Sequence, residues 1–336
     1  MKKTKLPTVL ILYGGMGAEH DISVLGKEYI AERIDRGRFC AIPVFISESG
    51  EWYAVKKDKK TRVHPINKNG KSGLLLGRRF LKIDTVFPIL HGDFGEDGRV
   101  QGLLECLGFS FVGCNTLSGA LAADKGVTKA VAERLGIPTV PWVSVNGEIN
   151  EKTLLKIENR LSYPVFVKPA CLGSSIGAGV AHDREELFDR LRIASELGQG
   201  RVLAEEYLKS KRELECAYLE LAGERFFTPP GEIRCDGGFY SFEEKYSRTS
   251  RASVLSGAPI DSDISDKVTA YAKALADELG LRGLARIDFF LDGDKLYFNE
   301  INTMPGLTDA SLYPRLIEKH YPGCDFLNRL IEESLL

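Results

Sequence analysis

Apolar residues recur along this chain in two rhythms. Residues 8–13 form an unbroken β-type run, and residues 41–46, 52–55, 85–90 and 165–168 form further short runs. Such runs, rich in branched and aromatic residues, predict strands, the unbroken ones buried on both faces. Helices are expected over about 22–33, 100–107 and 265–279, from about 184, and near 326–335. Another carries Lys125 and Lys129 at i, i+4 and ends by Leu135-Gly136-Ile137-Pro138, where the residue before proline is driven to extended backbone. Strand, glycine turn and helix follow one another through the N-terminal third, which is therefore expected to be an open α/β layer. Residues 56–80 are basic, glycine-containing and weakly periodic, and are expected to be a loop or irregular hairpin.

The richest chemistry lies near the C-terminus. Arg286-Ile287-Asp288-Phe289-Phe290 predicts a strand, Asp292-Gly293-Asp294 a turn, and residues 295–301 an antiparallel return. Side chains alternate along a strand, so Glu300 and Asn302 share a face, and pairing can bring Asp288 onto it. Two carboxylates and an amide oxygen then converge among apolar neighbours. Those hard oxygen ligands suit Mg2+, which binds few protein carboxylates and fills its shell with water and phosphate.

Glycine-rich turns mark the other candidate edges. Gly14-Gly15-Met16-Gly17 sits between the first strand and helix, where backbone NH groups face an anion; Glu19 and His20 lie in this turn. Taken alone, Glu19 reads as an acid at a helix N-terminus. Residues 91–98 (HGDFGEDG) follow a strand's carboxyl end, where ligands of open α/β sheets bind. Residues 172–180 form a glycine- and serine-rich hairpin tip whose backbone and hydroxyls can close on a phosphate chain, although the P-loop Gly-Lys-Ser/Thr element is missing. Glu205 ends a strand, and Glu213 and Glu215 share one face of the next. The polar, aromatic-bearing stretch from Asp236 to about Ile260 lacks periodicity and is expected to be an active-site lid.

Composition narrows the class. A chain of 336 residues has room for two or three domains, and a net charge of −2 offers no basic surplus for nucleic acid or membrane. Seven scattered cysteines without CxxC spacing predict reduced thiols and a cytoplasmic protein. The five apolar residues before Gly14 are too few for a signal peptide or a membrane span, and are expected to be a first strand.

These pieces, in this order, resemble the D-alanine-D-alanine ligases of the ATP-grasp superfamily over nearly the whole chain. The resemblance is carried by GGMGAEHDISV (14–24), HGDFGEDGRVQGLLE (91–105), GCNTLSGALAADK (113–125), PVFVKPACLGSSIG (164–177), EEYLKSKRELE (205–215), FYSFEEKY (239–246), GLARIDFF (283–290) and NEINTMPGLTDASLYPRL (299–316). It implies an α/β, three-domain ATP-grasp architecture: an open α/β substrate domain at 1–118, a central lid domain at 119–210, and a catalytic domain at 211–336 with a lid loop at about 236–258.

It also implies roles. Lys125, Lys168, Glu205, Glu206, Leu208 and Glu213 would hold ATP, with Lys168 on the phosphates, Glu205 on the adenine amine and Glu213 on the ribose. Ser174 and Ser175 would close over the phosphates. Asp288, Glu300 and Asn302 would bind two Mg2+ ions, with Mn2+ an alternative. Glu19 would fix the first substrate's ammonium, with His91 helping to position it. Lys245, Ser311, Leu312 and Gly306 would receive the second substrate's carboxylate. Ser174 and Tyr246 would join Glu19 to pin the lid, and Arg286 with the Gly306 NH would stabilise the oxyanion. The implied reaction joins two D-alanines through D-alanyl phosphate for peptidoglycan precursors, in a homodimer.

The chain departs from the family at Met16-Gly17 and Ala123, in one extra residue at 209–211, and after Tyr246, where Leu255-Ser256-Gly257-Ala258 replaces the usual Pro-Ala of the lid. Two other readings stand beside the first: D-serine or another small amino acid as second substrate, and a nucleotide-binding protein without turnover. The complete set Lys168, Arg286, Asp288, Glu300 and Asn302 argues against the last.

Overall fold

In the computed structural model, residues 5–57, 59–234 and 253–336 are described. Strand β1 (Thr8–Gly14) leads to α1 (His20–Arg33), β2 (Cys40–Ile46), β3 (Trp52–Lys56) and β4 (Lys59–Arg62). After β5 (His64–Lys68), β6 (Lys71–Leu76) and β7 (Arg79–Lys82), β8 (Thr85–Pro88) returns to the first sheet, and α2 (Arg99–Cys106) follows. The sheet order is β4-β3-β2-β1-β8, with β1 parallel to both β2 and β8. Strand β1 is buried throughout, and its alternation feeds two cores. Val9, Ile11 and Tyr13 pack with Ile30 and Ile34, whereas Leu10 and Leu12 pack with Val100 and Leu104.

Residues 56–80, expected to be a loop or irregular hairpin, are instead mostly strand. Strand β4 joins the first sheet, and β5, β6 and β7 form a separate three-stranded meander. Asn69-Gly70 and Gly77 make the turns with positive φ. These strands are held by their ladders and by the Ser72 hydroxyl, which donates to the Leu107 carbonyl. Strand β4 is exposed along its whole length, so no apolar rhythm announces it.

Two short helices, α3 (Thr116–Ala123) and α4 (Lys125–Arg134), are separated by Asp124, whose carboxylate accepts from the Gly126 and Val127 NH groups. The central sheet is built from β9 (Trp142–Asn146), β10 (Val165–Pro169), β11 (Gly179–Ala181) and β12 (Arg201–Glu206), in the order β11-β10-β12-β9. Helices α5 (Glu151–Glu158) and α6 (Arg184–Leu197) cover it through Leu154, Ile157, Leu187 and Leu191.

The third large sheet contains β13 (Arg212–Leu221), β14 (Glu224–Phe227), β15 (Gly231–Arg234), β16 (Ser253–Leu255), β17 (Leu284–Asp292) and β18 (Lys295–Asn302). Its order is β16-β15-β13-β17-β18, with β14 also on β13. Helix α7 (Ser262–Leu279) packs on one face together with Ala122 of α3 and Ala132 of α4. On the other, α8 (Leu312–His320) and α9 (Phe326–Glu333) share a core with β1 and α1. Sequence periodicity predicts α9 but not α8, because Pro314 reads as a breaker. In the first turn of a helix, proline removes no intrahelical bond.

Helix α4 changes partners along its length. Ala132 lies in the third sheet's core, with Val131 and Leu135 packed against it. Asp124, Lys125 and Lys129 instead reach central-sheet residues, where Asp124 pairs with Arg201 and the Lys125 NH donates to Ala170 at 3.0 Å.

Candidate active site

A cavity of about 930 Å³ lies where the three sheets meet. Of the residues singled out from sequence, Glu19, His91, Lys125, Lys168, Ser174, Ser175, Glu213, Arg286, Asp288, Glu300, Asn302, Gly306, Ser311 and Leu312 line it. Glu205, Glu206 and Leu208 do not. Lys245 and Tyr246, with most of the expected lid, lie outside the described residues.

At one end Glu19 follows β1, and its carboxylate accepts the Ser174 hydroxyl from the central hairpin. Two glycines make room for that carboxylate. A Cβ at Gly92 would stand 2.1 Å from Glu19 Oε2, and one at Gly173 would stand 2.8 Å away. Ser174 and Ser175 hold left-handed φ values of 52° and 59°, uncommon for residues with a Cβ, so this tip stores backbone strain beside the ligand space. His91 is buried, with Nδ1 3.0 Å from the Met304 carbonyl and 3.4 Å from Glu96. Burial disfavours its charge, but Glu96 and Glu19 outweigh that and raise its pKa.

The middle is a cluster of lysines. Lys168 Nζ lies 2.8 Å from Glu205 Oε2 and donates to Asn299 Oδ1 at 3.2 Å. Lys129, wholly buried, lies 2.7 Å from Glu205 Oε1. Burial alone would raise the Glu205 carboxyl, but the two lysines overcome it and draw it down to about 2. Lys168 is lowered by burial and by the neighbouring ammoniums, against the pull of Glu205. Lys125 donates to the Leu172 carbonyl at 2.8 Å and stands 3.4 Å from Glu300. Further along, Glu213 accepts from Lys211 at 3.1 Å, and Lys211 lies over the Phe290 ring.

The acidic hairpin forms, with a register step between Asp288 and Phe289. In register, Glu215 pairs with Asp288, Asp288 with Glu300, and Arg286 with Asn302. Arg286 grips Asp288 with two bonds of 2.8 Å, and Asn302 donates to Asp288 at 2.9 Å. Burial opposes the Arg286 charge, yet Asp288 and Glu215 hold its pKa well above the ordinary value. Among the described residues no three acidic, histidine or cysteine side chains converge as a metal cage. The donors expected from sequence, Asp288, Glu300 and Asn302, do lie together on this cavity wall. That set fits a divalent ion sharing its shell with phosphate oxygens.

At the far end Ser311 precedes α8, and its hydroxyl is 2.8 Å from that of Thr308. A Cβ at Gly306 would stand 2.9 Å from Ser311 Oγ, so the glycine keeps that hydroxyl reachable.

Sequence reasoning missed Lys129, Glu96 and Asn299 as parts of this site. Asn299 is the instructive case. The register steps from Asp288↔Glu300 to Phe289↔Phe298, leaving Asn299 as the extra residue of a β-bulge. A bulge re-aims a side chain, and here Asn299 joins the cavity lining beside Glu300 instead of facing away from it. Strict alternation could not have found it. Lys129 carried a signal, its i, i+4 spacing from Lys125, but nothing local marked Glu205 as its partner.

The chain is similar to known proteins over nearly its whole length. Residues 8–114 match the family described as D-ala D-ala ligase N-terminus, and residues 131–333 match D-ala D-ala ligase C-terminus. The D-alanine-D-alanine ligase of Treponema pallidum is 37% identical, covering 92% of this chain and 83% of the relative. That of Caldicellulosiruptor bescii is 38% identical, covering 99% and 96%. Among solved structures, VanG D-Ala:D-Ser ligase from Enterococcus faecalis superposes with a TM-score of 0.88 at 30% identity, covering 98% of this chain and all (100%) of that one. D-alanyl-alanine synthetase A from Vibrio cholerae gives 0.89 at 29%, covering 99% of each. The described cysteines are unpaired, and no described helix is long and apolar enough to cross a membrane. With both halves matched and the relatives covered almost end to end, this chain belongs to the D-alanine-D-alanine ligase family.

Proposed function

We propose that the chain joins two D-alanines into D-alanyl-D-alanine, converting ATP to ADP and phosphate, as a step toward peptidoglycan precursors. The observation that carries this reading is a single cavity in which Glu19–Ser174, Lys125 and Lys168, the Arg286–Asp288 hairpin and Gly306–Ser311 face one another. Glu19 would hold the ammonium of the first D-alanine, with His91 beside it. The carboxylate of that D-alanine attacks the γ-phosphorus, ADP leaves, and D-alanyl phosphate forms. Two anions meet in that step, so Lys125, Lys168 and Arg286 serve to offset their repulsion. Ser174 and Ser175 would cover the phosphates, with Glu213 on the ribose. Asp288, Glu300 and Asn302 would hold Mg2+, as two ions, or Mn2+ in its place, adding positive charge at the transferred phosphoryl group. Ser311 and Leu312, together with Lys245, would seat the second D-alanine by its carboxylate. Its amine attacks the acyl carbon, phosphate leaves, and Arg286 and the Gly306 NH take the developing oxyanion charge. Tyr246 and the segment at about 236–258 would close the site against water.

The division at 118/119 and 210/211, a cytoplasmic location and a homodimer belong to the same proposal. The first follows the three large sheets, the second the unpaired cysteines, and the third the commonness of two-fold dimers. A second reading, D-serine as second substrate, is favoured by the likeness to the E. faecalis D-Ala:D-Ser ligase. The deciding experiment is phosphate release from Mg-ATP with D-alanine alone, then with D-serine or D-lactate added, and product identification by mass. Dominant D-alanyl-D-alanine supports the first reading, a mixed dipeptide the second, and no turnover with any of them refutes both.

A further inference from the structure

Glu205 is one buried carboxylate facing two ammonium groups. Lys129 meets Oε1 at 2.7 Å and Lys168 meets Oε2 at 2.8 Å, with side-chain exposures of 0%, 3% and 10% for Lys129, Glu205 and Lys168. The three come from different elements, α4, β12 and β10, so the cluster exists only in the folded cavity wall. Only Lys168 lines the cavity. Lys129 cannot touch a ligand there, and nothing assigned to the site so far uses it.

We infer that Lys129 is a positioning residue of the nucleotide cleft: it remains on Glu205 as a fixed counter-ion and thereby frees Lys168 for an incoming phosphate. The inference rests on the reading of this cavity as an ATP site. With both lysines present, the cluster carries one surplus positive charge. Lys168 can then turn from Glu205 to a phosphate oxygen while Glu205 stays neutralised. Without Lys129, Lys168 and Glu205 become a matched buried pair, and every engagement of Lys168 with phosphate strands a buried carboxylate, which is costly. Asn299 assists by holding Lys168 from the hairpin side at 3.2 Å. Lys125, one turn earlier on the same helix, reaches the cavity directly at Leu172 and Glu300, so the two lysines of α4 divide the work.

The test compares Lys129→Met, Lys129→Arg and Lys168→Ala with the parent chain, using steady-state kinetics with Mg-ATP and D-alanine and binding of Mg-ADP by calorimetry. Lys129→Met should raise KM for ATP and Kd for Mg-ADP at least about tenfold, with KM for D-alanine within about twofold of the parent. Lys129→Arg, which keeps the charge, should recover most of the loss. A Lys129→Met protein with parental nucleotide constants overturns the inference, as does one in which nucleotide and D-alanine constants worsen together. If Lys129→Met does not fold, Lys129→Gln takes its place under the same criteria. Lys168→Ala separates the two levels. If it too binds nucleotide like the parent, the ATP-site reading itself fails; if it weakens binding while Lys129→Met does not, only the role of Lys129 fails.

Discussion

Gly173→Ala isolates the function of Glu19 from the stability of the fold. Gly173 does not have a left-handed φ, so its backbone accepts alanine, and the nearest obstacle to the new methyl is Glu19 Oε2 at 2.8 Å. The end of a flexible side chain can swing away cheaply. The carboxylate that swings, however, is the one bonded to Ser174 and proposed to hold the substrate ammonium. Folding stability should therefore change by less than about 1 kcal/mol. Loss of a charge-assisted hydrogen bond costs about 1.5–3 kcal/mol, which at 1.4 kcal/mol per tenfold corresponds to a rise of roughly 10- to 100-fold in KM for the first D-alanine. Urea unfolding and phosphate release at saturating ATP measure the two quantities. Gly92→Ala provides the contrast, because its φ of +63° adds backbone strain of about 1–2 kcal/mol to a tighter 2.1 Å clash. A Gly173→Ala protein with parental stability and an unchanged D-alanine KM would refute the placement of Glu19 at the substrate.

Lys168→Ala should fold, since Glu205 keeps Lys129, yet lose about 100-fold or more in kcat/KM for ATP; near-normal turnover would remove Lys168 from the phosphates. The Glu205 carboxyl is lowered from 4.5 to about 2. The stability it lends is thus complete above pH 4.5 and lost as pH falls toward 2, about 3 kcal/mol in all. Urea titrations at pH 5 and pH 2.5 should reveal this acid slope, and Glu205→Gln should flatten it. Removing divalent ions with EDTA should stop phosphate release while the melting temperature moves by no more than about 1 °C, because Asp288 is already bonded by Arg286 and Asn302; a fall of several degrees would make the ion structural.

Much of this architecture was legible before any coordinates. Unbroken apolar runs announced β1 and β8, and the Asp-Gly turn announced the β17–β18 hairpin, although it is the bulge that sets Asp288 opposite Glu300. The illegible parts share a cause, which is that their determinants are distant in sequence or reside in the backbone. Strand β4 has only exposed side chains and is a strand because β3 pairs with it. The bulge at Asn299 and the Lys129–Glu205 contact arise from how elements meet, and no local pattern encodes either. Glu19 is unremarkable in its own turn, and only the family resemblance linked it to Ser174, 155 positions away, whose hydroxyl it accepts.

The change of partners along α4 bears on how this protein can move. Its C-terminal part is embedded in the third sheet's core, where sliding would open cavities in close-packed material. Toward the central sheet its N-terminal part offers the fixed Lys129–Glu205 pair and, around it, the Asp124–Arg201 pair and the Lys125–Leu172 hydrogen bond, which can be exchanged for others as partners shift. The central sheet should pivot as a body over a helix that stays with the hairpin. Opening and closing of the cavity would then leave the geometry of Arg286, Asp288 and Asn302 untouched while Lys168 and the Ser174 tip travel to meet them.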